Sequence, residues 1–333
     1  MIYSIKKYQN KLSLYDTQKA IKLAKDTFEA ELAKELNLIR VSAPLFVYPE
    51  TGLNDNLNGV ERPVRFDILD TKKDAEIVQS LAKWKRMALA KYDIHIGKGI
   101  YTDMNAIRRD ETLDNLHSIY VDQWDWEKVI TSKERNIDYL KNVVISIVKV
   151  LCETKEIINK EFKELQMRFN PDVFFIDSDE LLKMYPNLSP KERENAICKE
   201  KKTVFLMRIG NKLSNGTLHD NRAPDYDDWQ LNGDILVWYD VLDRAVELSS
   251  MGIRVDKKSL VDQLTERGEL RRLELDFHKA IMDDLVPLSI GGGIGQSRIC
   301  LVMLEKAHIG EVQASLWDNK DIFELKEQGI ELL

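Results

Sequence analysis

Cysteine and histidine are scarce in this chain and poorly spaced for holding a metal. The three cysteines, Cys152, Cys198 and Cys300, lie far apart, are odd in number and form no CxxC pair. This pattern predicts neither a disulfide framework nor a structural zinc site, and it favours reduced thiols in a reducing compartment. The five histidines show no HxH or HxxxH spacing, so we expect no zinc site from them either.

Positive charge is not in excess, and long apolar runs are missing. The 49 Lys and Arg residues against 56 Asp and Glu residues give a formal charge of −7, which argues against a protein that grips long nucleic acids through phosphates. The most apolar stretch, residues 143–152, contains Ser146 and Lys149 and is too short to span a membrane. Residues 1–8 lack the apolar core of a signal peptide. We therefore expect a cytoplasmic protein with no nucleic-acid or membrane partner.

Helices and strands follow one another irregularly along the 333 residues. Apolar residues spaced by four, including Ala20, Phe28 and Leu36, predict a long amphipathic helix over residues 14–36. Pro44, in the extended segment that follows, suits an edge strand or an interface better than a central strand. Further helices are predicted over 76–91, over 134–169 and in the C-terminal part, where Gly291 to Gly293 interrupt them. Strands are predicted near 64–68, 99–108, 117–126, 203–209, 234–239 and 244–252.

This order of elements contains no regular βαβ alternation, no internal repeat and no flexible linker. It predicts a mixed α/β fold of the α+β type, in which helices flank a mainly antiparallel sheet. We expect residues 1–333 to form one domain.

The glycine-rich segment 289–298 is the strongest local signal. Glycine residues allow the backbone to approach a flat or anionic ligand, and the N-terminus of the helix that follows favours negative charge. Arg298 lies in the first turn of that helix, where it could stack on a base or hold a phosphate. The spacing fits neither the Walker nor the Rossmann pattern. A glycine-rich turn before a core helix therefore stays open as an alternative.

A pair of arginines, Arg108 and Arg109, ends a predicted strand and precedes Asp110 and Glu111. A solvated charged turn is the usual explanation of such a run. Together with Arg298, however, an arginine at this place could clamp a triphosphate from both sides.

Carboxylates accumulate between residues 225 and 247. Asp234 and Glu247 fall in otherwise apolar strands, where a carboxylate is costly to bury unless it is paired or bound to a metal. A few oxygen ligands, completed by phosphate and water, suit Mg²⁺. For Asp225 and Asp228 a surface acidic loop is the alternative.

The alternating strand over 117–126 places Gln123 and Asp125 on one face with apolar neighbours. We interpret this face as directed towards the core, so that the two polar side chains need a partner, and the ammonium group of an amino acid would suit Asp125. Trp124 and Trp126, on the opposite face, are expected to pack. No GxSxG segment or cysteine-centred nucleophile motif is present, so the chemistry need not involve a covalent enzyme intermediate.

Taken together, these segments resemble the class II aminoacyl-tRNA synthetases. Residues 41–46, after the long helix, are similar to motif 1, the dimer-forming element; Arg108 with Glu111 is similar to motif 2; and Gly291, Gly293, Gly295 and Arg298 are similar to motif 3. The segments 55–57, 80–85, 222–229, 232–234 and 248–254, with the Gln123 and Asp125 strand, resemble the ammonia-dependent asparagine synthetases. The similarity extends over nearly the whole chain, so we expect no anticodon-binding domain.

The resemblance implies a homodimeric ligase that uses L-aspartate, ATP, ammonia and Mg²⁺. Attack of the aspartate β-carboxylate on the α-phosphate of ATP would give β-aspartyl-AMP and pyrophosphate, and ammonia would then displace AMP to form asparagine. The reaction depends on positioning and on neutralisation of phosphate charge. A carboxylate, either Asp55 or Asp227, would accept the proton that ammonium loses.

The resemblance also implies a role for each candidate residue. The ATP site would comprise Arg108, Asp234, Glu247, Gly293, Gly295 and Arg298, with Asp234 and Glu247 as the Mg²⁺ ligands. The aspartate site would comprise Ser80, Lys85, Gln123, Asp125, Arg222, Ser250 and Arg254. The catalytic residues would be Asp55, near the ammonia, with Arg108, Asp227 and Arg298.

Two features depart from the family pattern. Arg109 occupies a position where a less charged residue is expected, so either Arg108 or Arg109 could be the motif 2 arginine. The connection 229–232 is shorter than usual, which argues against a mobile flap over the site.

Two other functions fit part of this pattern. A ligase of the class II type could pass its aminoacyl group to tRNA or to a protein, although the acidic net charge argues against tRNA. A catalytically silent relative could bind an amino acid and signal through a partner, but it would have no reason to keep the phosphate clamp.

Overall fold

The computed structural model describes residues 8–55, 57 and 61–333 of the chain. Asn56, in the segment 55–57 that resembles the asparagine synthetases, lies outside the described residues. The helices are α1 (Leu14–Leu36), α2 (Ala82–Lys91), α3 (Ile137–Glu161), α4 (Ser178–Met184), α5 (Pro190–Lys201), α6 (Lys257–Arg267), α7 (Asp276–Met282), α8 (Gln296–Met303) and α9 (Asn319–Glu327). No helix within these ranges is both long and apolar enough to cross a membrane.

The described strands form one large and one small sheet. They are β1 (Leu38–Arg40), β2 (Phe46–Val47), β3 (Arg65–Ile68), β4 (Lys73–Ile77), β5 (Gly99–Ile107), β6 (Tyr120–Val129), β7 (Phe174–Asp177), β8 (Thr203–Met207), β9 (Asp227–Tyr239), β10 (Arg244–Arg254) and β11 (Ser289–Gly295). The large sheet has the order β1-β5-β6-β11-β10-β9-β8-β7, and the small sheet has the order β2-β4-β3. Only the two outermost pairs of the large sheet, β1 with β5 and β7 with β8, are parallel. The predicted mainly antiparallel sheet is confirmed.

Helix α1 forms where its spacing of apolar residues predicts. The Ser13 side chain accepts a hydrogen bond from the backbone of Asp16 and caps the first turn, and Asn37 ends the helix in the left-handed conformation. The buried residues at intervals of four face the sheet, where Phe28 packs on Trp124 with ring centroids 4.9 Å apart. Trp124 and Trp126 are fully buried beneath α1, α3 and α8, as predicted.

The opposite face of the large sheet carries the polar residues. Helix α2 covers β6 and β11, and α5 covers β8, β9 and β10. The interpretation of the Gln123 and Asp125 face as core-facing is wrong for the main apolar core, but Val121 on this face packs against a smaller buried apolar cluster, and Asp125 is buried with a partner. The apolar core lies on the tryptophan side of β6, and Gln123 and Asp125 point away from it.

Two predicted helices have the wrong bounds. The helix predicted over 76–91 begins at Ala82, because residues 73–76 pair with β3. Glu76 binds Arg65 across this pair at 2.6 Å. The helix predicted over 134–169 is α3, which ends at Glu161. Beyond it, the backbone nitrogens of Gln166 and Met167 donate to the Glu305 carboxylate at 2.6 and 2.8 Å, which removes them from a helical ladder.

Two interpretations of loops are also corrected. Gly291 to Gly293 do not interrupt a helix, because they lie within β11 in the interior of the large sheet. Residues 229–232 do not connect two elements, because they belong to the long strand β9. Asn232 pairs with Gly252 of β10, and residues 229–231 lie at an irregularity between this pair and the pair of Asp227 with Arg254. The argument against a flap therefore loses its basis. The irregular segment before β9 runs instead from Arg208 to Tyr226.

Candidate active site

Four adjacent strands place polar residues in one row across the sheet. Asp125 of β6 lies opposite Gly293 of β11, Gly293 lies opposite Ser250 of β10, and Ser250 lies opposite Asp234 of β9. Directly opposed residues of antiparallel strands project to the same face. The first three residues of this row, Asp125, Gly293 and Ser250, lie on the floor of a cavity of about 400 Å³.

Strand β11 adds no side chain to this floor, because glycine occupies every second position of the strand, on the side that faces the cavity. Gly291, Gly293 and Gly295 lie opposite Glu127, Asp125 and Gln123 of β6. A methyl group at Gly293 would collide with the Gln123 amide, and one at Gly291 would collide with Glu127 and Arg254. The glycines thus serve close approach within a strand, so the proposed glycine-rich turn is wrong.

Lys85 and Asp125 form a buried ion pair above the floor. Lys85 projects from α2, and its Nζ donates to Asp125 Oδ1 and, at 2.9 Å, to the carbonyl oxygen of Gly292. Burial lowers the pKa of Lys85, and Asp125 opposes that shift. Asp125 Oδ2 is buried and has no hydrogen-bond partner among the described residues, so it can accept a hydrogen bond from a ligand.

Arg254, at the end of β10, lies between two buried carboxylates. Its guanidinium donates to Glu127 at 2.7 to 3.1 Å and to Asp227, and Ser289 Oγ donates to Glu127 at 2.7 Å. Burial acts to raise the pKa of Glu127, but Arg254 outweighs it and lowers that pKa. For Asp227 burial prevails and raises the pKa. These three side chains carry one positive and two negative charges. The two carboxylates can thus hold Arg254 in an orientation towards an anion in the cavity.

Three arginines surround the other end of the cavity. Arg298 donates to the Glu247 carbonyl oxygen at 2.9 Å, Arg222 pairs with Asp234, and Arg108 follows β5. Arg108 lines the cavity and its neighbour Arg109 is exposed. The geometry therefore favours Arg108 over Arg109 as the residue that meets a ligand.

Asp234 and Glu247 lie beside these arginines. Burial and the charge of Glu247 raise the pKa of Asp234, whereas Arg298 and Arg222 outweigh burial and lower the pKa of Glu247. Asp234 Oδ1 is buried without a hydrogen-bond partner in the described part of the chain. Residues 8–55, 57 and 61–333 contain no cluster of three or more His, Cys, Asp or Glu side chains suited to a metal. Two carboxylates fit an ion such as Mg²⁺, which takes most of its ligands from phosphate and water.

Asp55 lines the cavity near a second buried cluster of charged groups, which Asp225 forms with Lys83, Arg272 and His278. Its Oδ1 accepts a hydrogen bond from the Leu57 backbone at 3.1 Å, while Oδ2 has no partner among the described groups. Burial raises the pKa of Asp55 to about 6, although the nearby Lys83 acts to lower it. A carboxyl group with such a pKa can exchange a proton near neutral pH.

The structure brings almost all predicted site residues together. The residues that line the cavity are Asp55, Ser80, Lys85, Arg108, Gln123, Asp125, Arg222, Asp227, Glu247, Ser250, Arg254, Gly293, Gly295 and Arg298. Asp234 does not line the cavity itself, but it binds Arg222, which does.

Glu127, which is fully buried and binds Arg254, was missed in the sequence, and two other buried carboxylates were misinterpreted. Glu127 continues the alternation of Gln123 and Asp125 by two residues, and this signal was readable in the sequence. The surface-loop interpretation of Asp225 and Asp228 is wrong. Asp225 is fully buried and binds Lys83 at 2.9 Å, and Asp228 is buried against Arg135 at 2.5 Å.

Comparison with known proteins identifies close relatives over nearly the whole chain. Residues 15–329 match the model of the aspartate-ammonia ligase family. The chain is 58% identical over 329 residues to the aspartate–ammonia ligase of Clostridium tetani, which covers 98% of this chain and 96% of that protein. It is 58% identical over 327 residues to the enzyme of the same name from Ruminiclostridium cellulolyticum, with 98% and 97% covered.

Solved structures show the same fold at low identity. An asparaginyl-tRNA synthetase from Pyrococcus horikoshii complexed with asparaginyl-adenylate superposes with a TM-score of 0.62 at 16% identity, over 91% of this chain and 70% of that chain. An asparaginyl-tRNA synthetase from Entamoeba histolytica gives 0.62 at 13% identity, over 90% and 67%. The predicted class II synthetase-like catalytic core is confirmed.

The buried Arg254 predicts a large and pH-dependent stability effect. Arg254→Met leaves Glu127 and Asp227 buried without their cation, so the free energy of unfolding should fall by about 3–5 kcal/mol near pH 7. The loss should shrink as the pH falls towards the carboxyl range, because Glu127 in the variant then takes up a proton instead of staying charged. Urea unfolding at several pH values measures both effects. The exposed Arg109→Met is the control, with an expected change within about 0.5 kcal/mol; equal losses for the two variants would contradict the assignment.

Proposed function

This chain belongs to the aspartate–ammonia ligase family and catalyses ATP-dependent synthesis of asparagine from aspartate, and on that premise we propose which residues act on each substrate. The observation that carries the proposal is the charge pattern over the glycine-lined floor. Two buried cations, Lys85 and Arg254, face the cavity together with the free oxygen of Asp125. Aspartate presents two carboxylates and one ammonium group, which is the complementary set.

The aspartate molecule lies over β11 in this proposal. Asp125 Oδ2 accepts a hydrogen bond from the α-ammonium group, beside the amide of Gln123. Lys85 and Arg254 neutralise the two carboxylates, and Ser80, Ser250 and Arg222 complete the polar wall. Because Lys85 and Arg254 are already fixed by Asp125, Glu127 and Asp227, substrate binding requires little reorganisation of charge.

ATP lies at the arginine-rich end, with its phosphates between Arg108 and Arg298. Gly293 and Gly295 allow the nucleotide to approach the strand closely. Asp234 and Glu247 would hold Mg²⁺, which supplies neutralisation of phosphate charge when it is bound there. Arg108 and Arg298 stabilise the negative charge that develops as the aspartate β-carboxylate attacks the α-phosphorus and pyrophosphate leaves. The product of this step is β-aspartyl-AMP.

Asp55 serves the second step, in which ammonia attacks the acyl carbon and AMP leaves. Ammonium must lose a proton before it can attack. Asp55 is better suited to accept that proton than Asp227, because Asp227 is engaged by Arg254 while Asp55 Oδ2 has no partner in the described structure. Its raised pKa of about 6 makes it a stronger base than an ordinary aspartate.

We also propose that the enzyme works in the cytoplasm as one catalytic domain, without a nucleic-acid partner. The net charge of −7 supports the last point, since phosphate-binding surfaces are usually basic.

Exposed apolar side chains support a homodimer with a two-fold interface at the segment after α1. Ile39, Leu45 and Phe46 are 57%, 48% and 47% exposed although they are large and apolar, and such patches are typical of interfaces. Light scattering should give twice the 38.6 kDa mass of one chain, and Ile39→Asp should lower it towards one chain. Met184→Asp should leave the mass unchanged, because Met184 is 49% exposed at the end of α4, which packs on β7 at the opposite edge of the large sheet from β1. A fully active monomer at micromolar concentration would exclude the dimer.

The role of Asp55 predicts different responses to two nucleophiles. Asp55→Asn should still release pyrophosphate in a single turnover, but asparagine formation from ammonium should fall by about 100-fold or more, as expected for loss of a general base. Hydroxylamine is largely unprotonated at neutral pH and does not need that base. Hydroxamate formation should therefore stay close to wild type.

Rates with both nucleophiles, measured beside pyrophosphate release, check this prediction. The exposed Asp67→Asn provides the control for removal of a carboxylate. If Asp55→Asn lowers asparagine, hydroxamate and pyrophosphate in parallel, Asp55 positions substrate or structure and is not the proton acceptor.

A further inference from the structure

A buried amide, Gln79, lies in the same cavity wall as Asp55. The residue is 1% exposed and lines the cavity. Neither Oε1 nor Nε2 of its side chain has a hydrogen-bond partner among the residues described. Leaving a buried amide unsatisfied costs about 1–3 kcal/mol, so a side chain in this state at the wall of a cavity indicates a ligand.

Asn54 places Gln79 and Asp55 side by side. Its Oδ1 accepts hydrogen bonds from the backbone nitrogens of both residues, at 3.0 Å from Asp55 and 2.9 Å from Gln79. Its Nδ2 donates to Glu76 Oε2 and to the Ile77 carbonyl oxygen, both at 3.2 Å, which fixes the Asn54 side chain to strand β4. Two residues whose nitrogens bind the same oxygen atom must be close neighbours, although 24 positions separate them in the chain.

The nearby cations are directed towards another carboxylate. Lys83 Nζ and Arg272 Nη1 each lie 2.9 Å from Asp225 Oδ2, and His278 Nε2 lies 2.9 Å from the same atom. Asp225 is fully buried and does not line the cavity. No protein cation therefore occupies Asp55 Oδ2 within the described structure, which leaves a carboxylate oxygen and an amide oxygen available to a small donor.

We propose that Asp55 Oδ2 and Gln79 Oε1 together bind the ammonium ion that enters the amide-forming step. Ammonium carries only N–H donors, and both oxygens are acceptors. Asp55 takes one proton and becomes a carboxylic acid, while Gln79 holds the resulting ammonia by another N–H. The nitrogen lone pair then forms the bond to the β-acyl carbon, the bond from that carbon to the AMP oxygen breaks, and the nitrogen releases a further proton to solvent. This inference rests on the proposed function. It adds Gln79 as a second ligand of ammonium and Asn54 as the residue that holds Gln79 beside Asp55.

Gln79→Met tests this site because it keeps the volume of the side chain and removes both polar atoms. The KM for ammonium chloride should rise by about 10- to 100-fold, the effect of losing a hydrogen bond to a charged group. The KM for aspartate and single-turnover pyrophosphate release should stay within about two-fold of wild type, and normal pyrophosphate release shows that the variant is folded. The exposed Gln18→Met, on α1, is the matched control.

A second variant covers failure of the first to fold. Gln79→Asn keeps the amide but withdraws it by one methylene from the ammonium, so the KM for ammonium should rise by about 10-fold or more while the KM for aspartate stays within about two-fold of wild type; an ammonium KM that does not change in this variant would overturn the site as well. An unchanged ammonium KM in Gln79→Met, or a parallel rise in the KM values for ammonium and aspartate, would overturn the site. The Gln79 amide would then bind water or stabilise the structure. Absence of asparagine from the wild-type reaction would instead refute the proposed function.

Discussion

The rest of the site depends on the face of strand β11 that carries only glycine, at positions 291, 293 and 295. Lys85, Glu127 and Arg254 are all buried beside it, and Gly291 is the position where a methyl group would displace the last two. Ionised groups are costly to remove from water unless each has a partner at short range. The glycines provide the space for these partners to meet on a rigid sheet.

This arrangement separates the chemistry into regions of different charge. The aspartate end carries fixed ion pairs, the phosphate end carries three arginines beside two carboxylates, and Asp55 lies where no cation reaches its outer oxygen in the described structure. The aspartate end is built from strands and from α2, so it needs little motion to hold its charges in place, and fixed charges are the condition for electrostatic stabilisation of a reaction.

The sequence predicts this site better than it predicts its surroundings. Helix α1 and the antiparallel sheet follow from the apolar pattern, and the glycines with Arg298 follow from the resemblance to the class II synthetases. Local patterns do not reveal pairing between separate segments: Glu305 holds the backbone beyond α3 out of a helix, and β3 pairs with residues 73–76. The burial of Asp225 depends in the same way on Lys83, Arg272 and His278, which lie far from it in the chain. The acidic residues of segment 225–228 do not by themselves indicate that Asp225 is buried.

Transfer of oxygen from aspartate to AMP tests the central claim most directly. Aspartate labelled with ¹⁸O in its β-carboxylate is converted with ATP and ammonium, and the nucleotide products are analysed by mass spectrometry. The adenylate route predicts one ¹⁸O atom in AMP for each asparagine formed and none in pyrophosphate. Label in inorganic phosphate together with ADP, or AMP without label, would contradict a β-aspartyl-AMP intermediate.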